Sequence, residues 1–420
     1  MKTLVLGGGI VGITTAYWLA TDGHEVTVVE ADDGVGREAT ASNAGIIAPG
    51  HSSAWASPRA PAMLVRSLFG AETAIRVRLR PDLRLYSWGW KFLRECTAER
   101  ARENTLVKLR LCQYSQVLMT DLVRRTGIEY HAVTQGALYI YRDPAELEAG
   151  AKKMALLSSH GQTQDLLDAD EVARFDPVFE PVKHKIAGAV RDLTDSSGDA
   201  QRFTEALARI CRERLGVVLR LKTRVGALRA EGERITGVLT DQGLLSADAY
   251  VLALGVQSPL VARTVGVKLA IYPAKGYSST FPLTSGLAPT VPGVDEQWLV
   301  AWSRLGDRLR LTSTAEFAGY DWNWTPRDFN NILRFARDVF PHAADYARGE
   351  YHACLRPMTP DGRPVLGRGR YRNLFLNVGH GHMGWTMAFG TAKIVADLMA
   401  GRKPDHDPGG FAPRPQAGGL

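Results

Sequence analysis

Apolar residues in this chain fall into short runs, and the spacing between runs alternates between tight turns and helical stretches. The first run, Leu4-Val5-Leu6, passes directly into Gly7-Gly8-Gly9-Ile10-Val11-Gly12. An amphipathic stretch from Ile13 to Ala20 follows, and a second run, EVTVV, ends at Glu30. Strand, glycine turn, helix and strand in that order predict a βαβ unit. Gly7 permits the tight turn, Gly9 keeps a β-carbon out of the path of a pyrophosphate, and Gly12 lets the helix pack closely on the sheet. Glu30 stands at the spacing of a carboxylate that accepts hydrogen bonds from an adenosine ribose.

The pattern then changes. Arg37 to Gly50, REATASNAGIIAPG, is rich in small and hydrogen-bonding residues and suits a loop running along an extended ligand. Helical spacing from about Pro61 to Thr126 gives way to the strand Gly136 to Tyr141 and a helix from Glu146 to His160, which read as inserted material. A helix from Arg202 to Leu215 feeds the strand Val217 to Leu221. A hairpin follows near Thr223 to Arg229 and Ile235 to Thr240, and then the apolar run ADAYVLALG, closing at Gly255. A second insertion, Lys268 to Gly349, carries strands at Gln297 to Trp302 and Arg308 to Thr312 and a helix from Arg327 to Val339. The run NLFLNV then meets a glycine turn (Gly379, Gly381, Gly384) and a helix reaching Ala400.

These patterns predict an α/β and α+β protein, with a discontinuous Rossmann-like dinucleotide domain (1–85, 195–263 and 351–402) and a mixed-sheet cap domain (86–194 and 264–350). Residues 403–420, rich in proline and glycine, are expected to form a flexible tail.

Composition narrows the class. The 420 residues are 45% hydrophobic and 23% charged, as in a globular protein. No run reaches the roughly 18 apolar residues of a membrane span. The first strand begins at Met1, so a cytoplasmic protein without a leader is expected. Cys96, Cys112, Cys211 and Cys354 show no metal-like spacing and are expected as reduced thiols with no metal site. The formal charge of +7 is compatible with an anionic substrate or surface. Basic residues are densest from Arg59 to Arg102, a segment that also carries Leu64, Leu68, Phe69, Tyr86, Trp88, Trp90 and Phe92. Either these aromatics are the core of the cap, or the segment lies on the inner face of a membrane. A single fingerprint, without a second Rossmann unit, favours a resident FAD reduced directly by a small substrate over a partner of diffusing NAD.

The motifs LGGGIVG, SNAGIIAPG, DAYVLALG, YPAKGYS, LRPMTPDGRPVLG and NVGHGHMGWTMAFG lie, in this order and over nearly the whole length, as in the D-amino acid oxidase superfamily of flavoproteins. The chain most resembles bacterial D-amino acid dehydrogenases of the small-subunit type. The resemblance implies a p-hydroxybenzoate-hydroxylase-like fold and oxidative deamination by hydride transfer from Cα to flavin N5, with a quinone-type electron acceptor. It implies FAD contacts at Gly7, Gly9, Gly12 and Glu30, along Ser42, Asn43, Ala44 and Gly45, at Gly255, and at Gly379, His380, Gly381 and Gly384. Helix N-terminal N–H groups at that last turn suit the negative charge of a reduced flavin.

A carboxylate held over a flavin calls for a planar cationic fork, and Arg356 matches the family position for it. The plainer alternative is a structural arginine paired with an acid such as Asp361. Tyr277 matches a position that supplies a phenol or backbone to the same carboxylate, or is a core aromatic of the cap. His51 and Trp55 are candidate pocket residues. His380 and His382 suggest acid–base work or simple turn hydrogen bonds. Cys354 stands where the sarcosine-oxidase branch attaches its flavin, although a buried free thiol is the default. Two other functions compete: oxidation of a secondary amine (glycine, sarcosine or hydroxyproline), and flavin-dependent RNA modification or binding. The basic excess is spread out with no RNA module, so no nucleic-acid partner is expected.

Overall fold

A computed structural model describes residues 1–68, 75–78, 80–284 and 286–413. Its first sheet has six strands, in the order Val365–Arg368, Leu374–Val378, Ala249–Leu252, Lys2–Leu6, Glu25–Val29, Val218–Arg220. All pairings are parallel except at the Val365–Arg368 edge. Side chains of a strand alternate between faces, so each strand feeds two cores. Val5, Val28, Val251 and Phe375 point to a helical layer that includes Ile13, Phe203 and Phe389. Leu4, Leu6, Leu252 and Leu376 point the other way, onto Leu228, Ile235 and Val238 of the antiparallel sheet Val225–Glu231, Arg234–Thr240, Gly243–Leu245. Burial on both faces explains why the parallel strands read as continuous apolar runs.

The second sheet has nine strands and runs from Glu350–Met358 through Tyr272–Pro282, Arg308–Phe317, Val300–Leu305, Gly293–Asp295, Ala137–Tyr141 and Gly188–Asp192 to Gln164–Asp168, with Ile75–Val77 beside Arg308–Phe317. One face packs on the helix Asn330–Val339 through Phe281, Trp302, Leu309 and Leu311 against Ile332, Phe335, Ala336 and Val339. The other face looks back at the first sheet. A cavity of about 1850 Å³ lies between them.

Three expectations are changed by this packing. The strand Glu350–Met358 pairs along Tyr272–Pro282 and so belongs to the second sheet, although the sequence reading gave residues from 351 onward to the dinucleotide domain. The helix Ala98–Thr126, expected in the cap, places Leu111, Cys112, Met119 and Leu122 in the core of the parallel sheet's helical layer. Its apolar stripe has the period of any buried helix, and the period does not name the partner. The tail also folds further than its composition suggests. Pro408–Gly410 makes a short turn, Phe411 is buried, and the Leu366 N–H donates to the Phe411 carbonyl at 2.8 Å. The remainder of that tail, and Phe69 of the basic aromatic segment, lie outside the described residues.

Candidate active site

The fingerprint turn is fixed by backbone geometry. Gly7 has φ +110°, a conformation closed to side chains, and a β-carbon there would sit 2.5 Å from the Ala253 carbonyl oxygen. A β-carbon on Gly12 would run into the carbonyl of Gly7. Gly9 differs: a β-carbon would meet nothing nearer than Thr40 Oγ1, at 3.4 Å, so protein packing does not require a glycine here. Gly9 is instead a wall of the cavity and the N-cap of the helix Ile10–Thr21; it has no side chain to cap the helix, and the Ile10 N–H donates to Thr40 Oγ1 at 3.2 Å. Room at Gly9 and a helix N-terminus at the cavity wall are what a pyrophosphate requires. The chain fits an extended dinucleotide, and the cavity exceeds the roughly 300–1,000 Å³ of ordinary small-molecule pockets.

Glu30 lines the same cavity, and its carboxylate is already engaged. It accepts the Gly8 N–H at 2.6 Å and the Asp32 N–H at 3.0 Å. Both oxygens keep a further lone pair for ribose hydroxyls. The loop Ser42 to Gly45 is held by cap residues: Arg310 donates to the carbonyls of Ala41 and Asn43 at 2.8 Å, and Ser303 to that of Ala44 at 2.7 Å. Arg310 is buried, which lowers its pKa to about 10.

Of the residues expected at the cofactor, Gly7, Gly9, Glu30, Ser42, Asn43 and Ala44 line the cavity. Gly255, His380, Gly381 and Gly384 do so as well. Gly12, Gly45 and Gly379 stand behind the wall and shape it, Gly45 and Gly379 with φ of +78° and +80°. Gly384 begins the helix Gly384–Met399, whose N-terminus also lacks a side-chain cap. The ring of His380 is turned inward to Thr391 Oγ1 at 3.0 Å, and burial pushes its pKa down to about 3. It is a neutral structural group.

Arg356 lines the cavity, and its register partner on the neighbouring strand is Ala274. Its guanidinium lies over Gly276, where any β-carbon would collide with it. Its Nη1 donates to the Thr314 carbonyl at 2.9 Å, and among the described residues no carboxylate pairs with it. Asp361 instead accepts the N–H of Arg363. Burial lowers the Arg356 pKa, with Cys354 acting in the opposite sense. Thr314 itself has φ +67°, rare for a β-branched residue, at an irregularity in the pairing of Tyr272–Pro282 with Arg308–Phe317. Sequence spacing gave no sign of this distorted strand, which turns a carbonyl toward the arginine.

Tyr277 is a correction. Strand alternation sends it to the face opposite the cavity, where it is fully buried, packs edge-on to Phe329, and donates to Glu316 Oε2 at 2.7 Å. It is a core aromatic of the cap. His51 and Trp55 both reach the cavity. Trp55 lies against His382, ring centres 4.6 Å apart. His51 stacks on Tyr139 with centres 5.1 Å apart, and its Nε2 is 2.9 Å from Glu296 Oε1. Glu296 was not singled out from the sequence, because nothing local marks an acid that acts only once a distant loop arrives beside it. Cys354 is buried in the wall, and burial raises its thiol pKa.

Comparison with known proteins identifies the family. Residues 2–398 match the DAO family, FAD dependent oxidoreductase. The chain is 45% identical over 412 residues to D-amino acid dehydrogenase 2 of Mesorhizobium japonicum, covering 98% of this chain and 99% of the relative. It is 41% identical over 412 residues to D-amino acid dehydrogenase of Chromohalobacter salexigens, covering 98% of each. In fold it is similar to glycine oxidase from Geobacillus kaustophilus, with TM-score 0.78 at 21% identity over 99% of this chain and 100% of that one. It is also similar to iminodiacetate oxidase from Chelativorans sp. BNC1, with TM-score 0.74 at 21% identity over 98% of both. The chain therefore belongs to the DAO family of FAD-dependent oxidoreductases, and FAD is the cofactor its glycine turns and cavity accommodate.

Proposed function

We propose that this protein oxidises D-amino acids to imino acids, as its relatives' names state for them, and passes the electrons to a quinone-type acceptor. The observation that carries the reading is Arg356: a half-buried guanidinium in the cavity wall with no acid beside it among the described residues. A desolvated cation without a counter-ion is costly, and a substrate carboxylate supplies the missing charge. With one Nη1 bond spent on Thr314, its other N–H groups remain for a two-pronged grip. FAD supplies the acceptor for the hydride that leaves Cα. The protein's part is orientation and exclusion of water: Arg356 fixes the carboxylate, and Trp55 and His382 form an aromatic wall.

The acceptor reading is supported by the helix Leu83–Glu95. Its Leu85, Trp88 and Phe92 pack inward on Tyr272, Phe317 and Met358, while Leu83, Tyr86, Trp90 and Leu93 are exposed among Arg80, Arg84, Lys91 and Arg94. Tyr86, Trp90 and Leu93 also line the cavity mouth. An amphipathic, cationic rim of this kind suits an anionic leaflet carrying an apolar quinone. No described helix is long and apolar enough to cross a membrane.

Anaerobic titration of the holoenzyme tests both parts. D-amino acids bleach the flavin while L-enantiomers and amines lacking a carboxylate do not, and a short-chain quinone restores the colour faster than air. Reduction by none of the D-amino acids would refute the substrate class. Reoxidation by air at the turnover rate would identify an oxidase instead.

A further inference from the structure

The cavity wall holds a hydrogen-bonded pair that neither binds the carboxylate nor belongs to the dinucleotide turns. His51 Nε2 lies 2.9 Å from Glu296 Oε1. Burial opposes ionisation of Glu296, yet His51 and Lys153 together outweigh that and hold the carboxyl below its ordinary value. An ionised carboxylate is an acceptor only, so in the neutral ring the Nε2 facing it carries the proton and Nδ1 the lone pair. Nδ1 has no hydrogen-bond partner among the described residues, and the ring lines the cavity.

The imidazole is also held in orientation. Its ring stacks on Tyr139 with planes 12° apart, and the Tyr139 hydroxyl bonds to Asp195. Asp195 also accepts the N–H of Gly50 at 2.9 Å, the residue before His51. One buried carboxyl thus fixes both the surface under the ring and the backbone that carries it. Arg356, His51 and His382 all line the same cavity. The carboxylate grip and the imidazole thus face one enclosed space.

We infer that His51, oriented by Glu296, is the base that takes a proton from the substrate's ammonium before Cα is oxidised. The inference rests on the amino-acid reading above. In this step one ammonium N–H bond breaks, its electron pair stays on nitrogen, and the proton forms a bond to Nδ1. The freed lone pair supplies the electrons of the C=N bond as hydride leaves Cα for FAD, and the imidazolium later returns its proton to water. A carboxylate behind an imidazole that faces a reacting group is the general-base arrangement. The other titratable groups around the pair are Tyr139 and Tyr141, Asp192 and Asp195, His382, and Lys153, whose charge acts on Glu296.

The test compares wild type with His51→Gln and Glu296→Gln as holoenzymes. Anaerobic flavin reduction by a D-amino acid is followed across pH. His51→Gln is expected to slow reduction about 10²-fold near neutral pH, and the rate recovers as pH rises toward ionisation of the amine itself. A loss that is the same at every pH would overturn the proposal, since that is what a structural role produces. Glu296→Gln should move the low-pH limb of the profile to lower pH, because an anion beside an imidazole favours its protonated form. This arm decides the matter if His51→Gln fails to retain FAD, and an unmoved limb counts against the proposal.

A second readout involves no turnover. 2-Aminoisobutyrate has no Cα–H and can bind without being oxidised. Calorimetry should show its binding to wild type weakening, with proton release, as pH is lowered from about 8 to about 5. Binding to His51→Gln should be level across that range. Level binding in both proteins would overturn the inference, whereas flavin that no D-amino acid reduces would instead overturn the substrate reading.

Discussion

The indole of Trp55 lies nearly flat on the imidazole of His382, planes 22° apart and centres 4.6 Å apart, so a loop following the first sheet's ligand segment and the glycine turn before the last helix meet as one aromatic wall. Burial keeps His382 neutral, and its Nε2 has no partner among the described residues. Trp55→Ala is expected to raise the substrate KM about tenfold with FAD retained, by loss of a stacked contact worth about 1 kcal/mol together with the packing it provides. Steady-state kinetics at constant flavin content checks this, and an unchanged KM would remove Trp55 from the pocket.

Arg356→Lys keeps the charge and loses the fork. We expect kcat/KM to fall about 10²-fold or more while the flavin stays bound, because a two-pronged hydrogen bond becomes a point contact. Equal kcat/KM in the two proteins would refute the clamp.

The last two glycines of the fingerprint, Gly9 and Gly12, should fail differently. Gly12→Ala puts a β-carbon into the Gly7 carbonyl and is expected to destabilise the folded chain itself, visible as a lower thermal midpoint without FAD. Gly9→Val meets little protein at its β-carbon, so the apoprotein should fold with a near-normal midpoint and fail to retain FAD. Tight FAD retention by Gly9→Val would sink the assignment of that space to the pyrophosphate.

Acid precipitation is expected to release the yellow colour into the supernatant. Cys354 stands in the cavity wall, but burial raises its pKa, so the thiol stays protonated and a poor nucleophile. A mass increase equal to FAD on the denatured chain, lost in Cys354→Ser, would show a covalent link instead.

His380 sets an acid limit on stability. Its folded pKa of about 3 lies below the ordinary 6.5, so the unfolded chain binds this proton first as pH falls. The contribution is intact above about pH 6.5 and declines between there and about pH 3, by up to about 1.4 kcal/mol per pH unit. Denaturant unfolding from pH 7 to 4 should show this slope, and His380→Asn should flatten it. An unchanged slope would mean that other groups dominate.

The sequence by itself determined the dinucleotide turn, because its requirements are local. Gly7 must adopt φ +110°, Gly12 answers to the Gly7 carbonyl just before it, and the alternation of Leu4, Val5 and Leu6 already assigns two faces. The same holds for the glycine turn ahead of the last helix. Tyr277 shows where this ends. Its motif pointed to substrate, and only the pairing of Tyr272–Pro282 with Glu350–Met358 decided that Arg356 faces the cavity and Tyr277 the opposite core. The pairing of His51 with Glu296 was beyond reach for the same reason: 245 residues separate them, and no local periodicity encodes which loop a strand end will meet. Likewise the strain at Thr314 and the docking of Phe411 arise from contacts across the fold, because tertiary packing selects among conformations that the local sequence leaves nearly equal in energy.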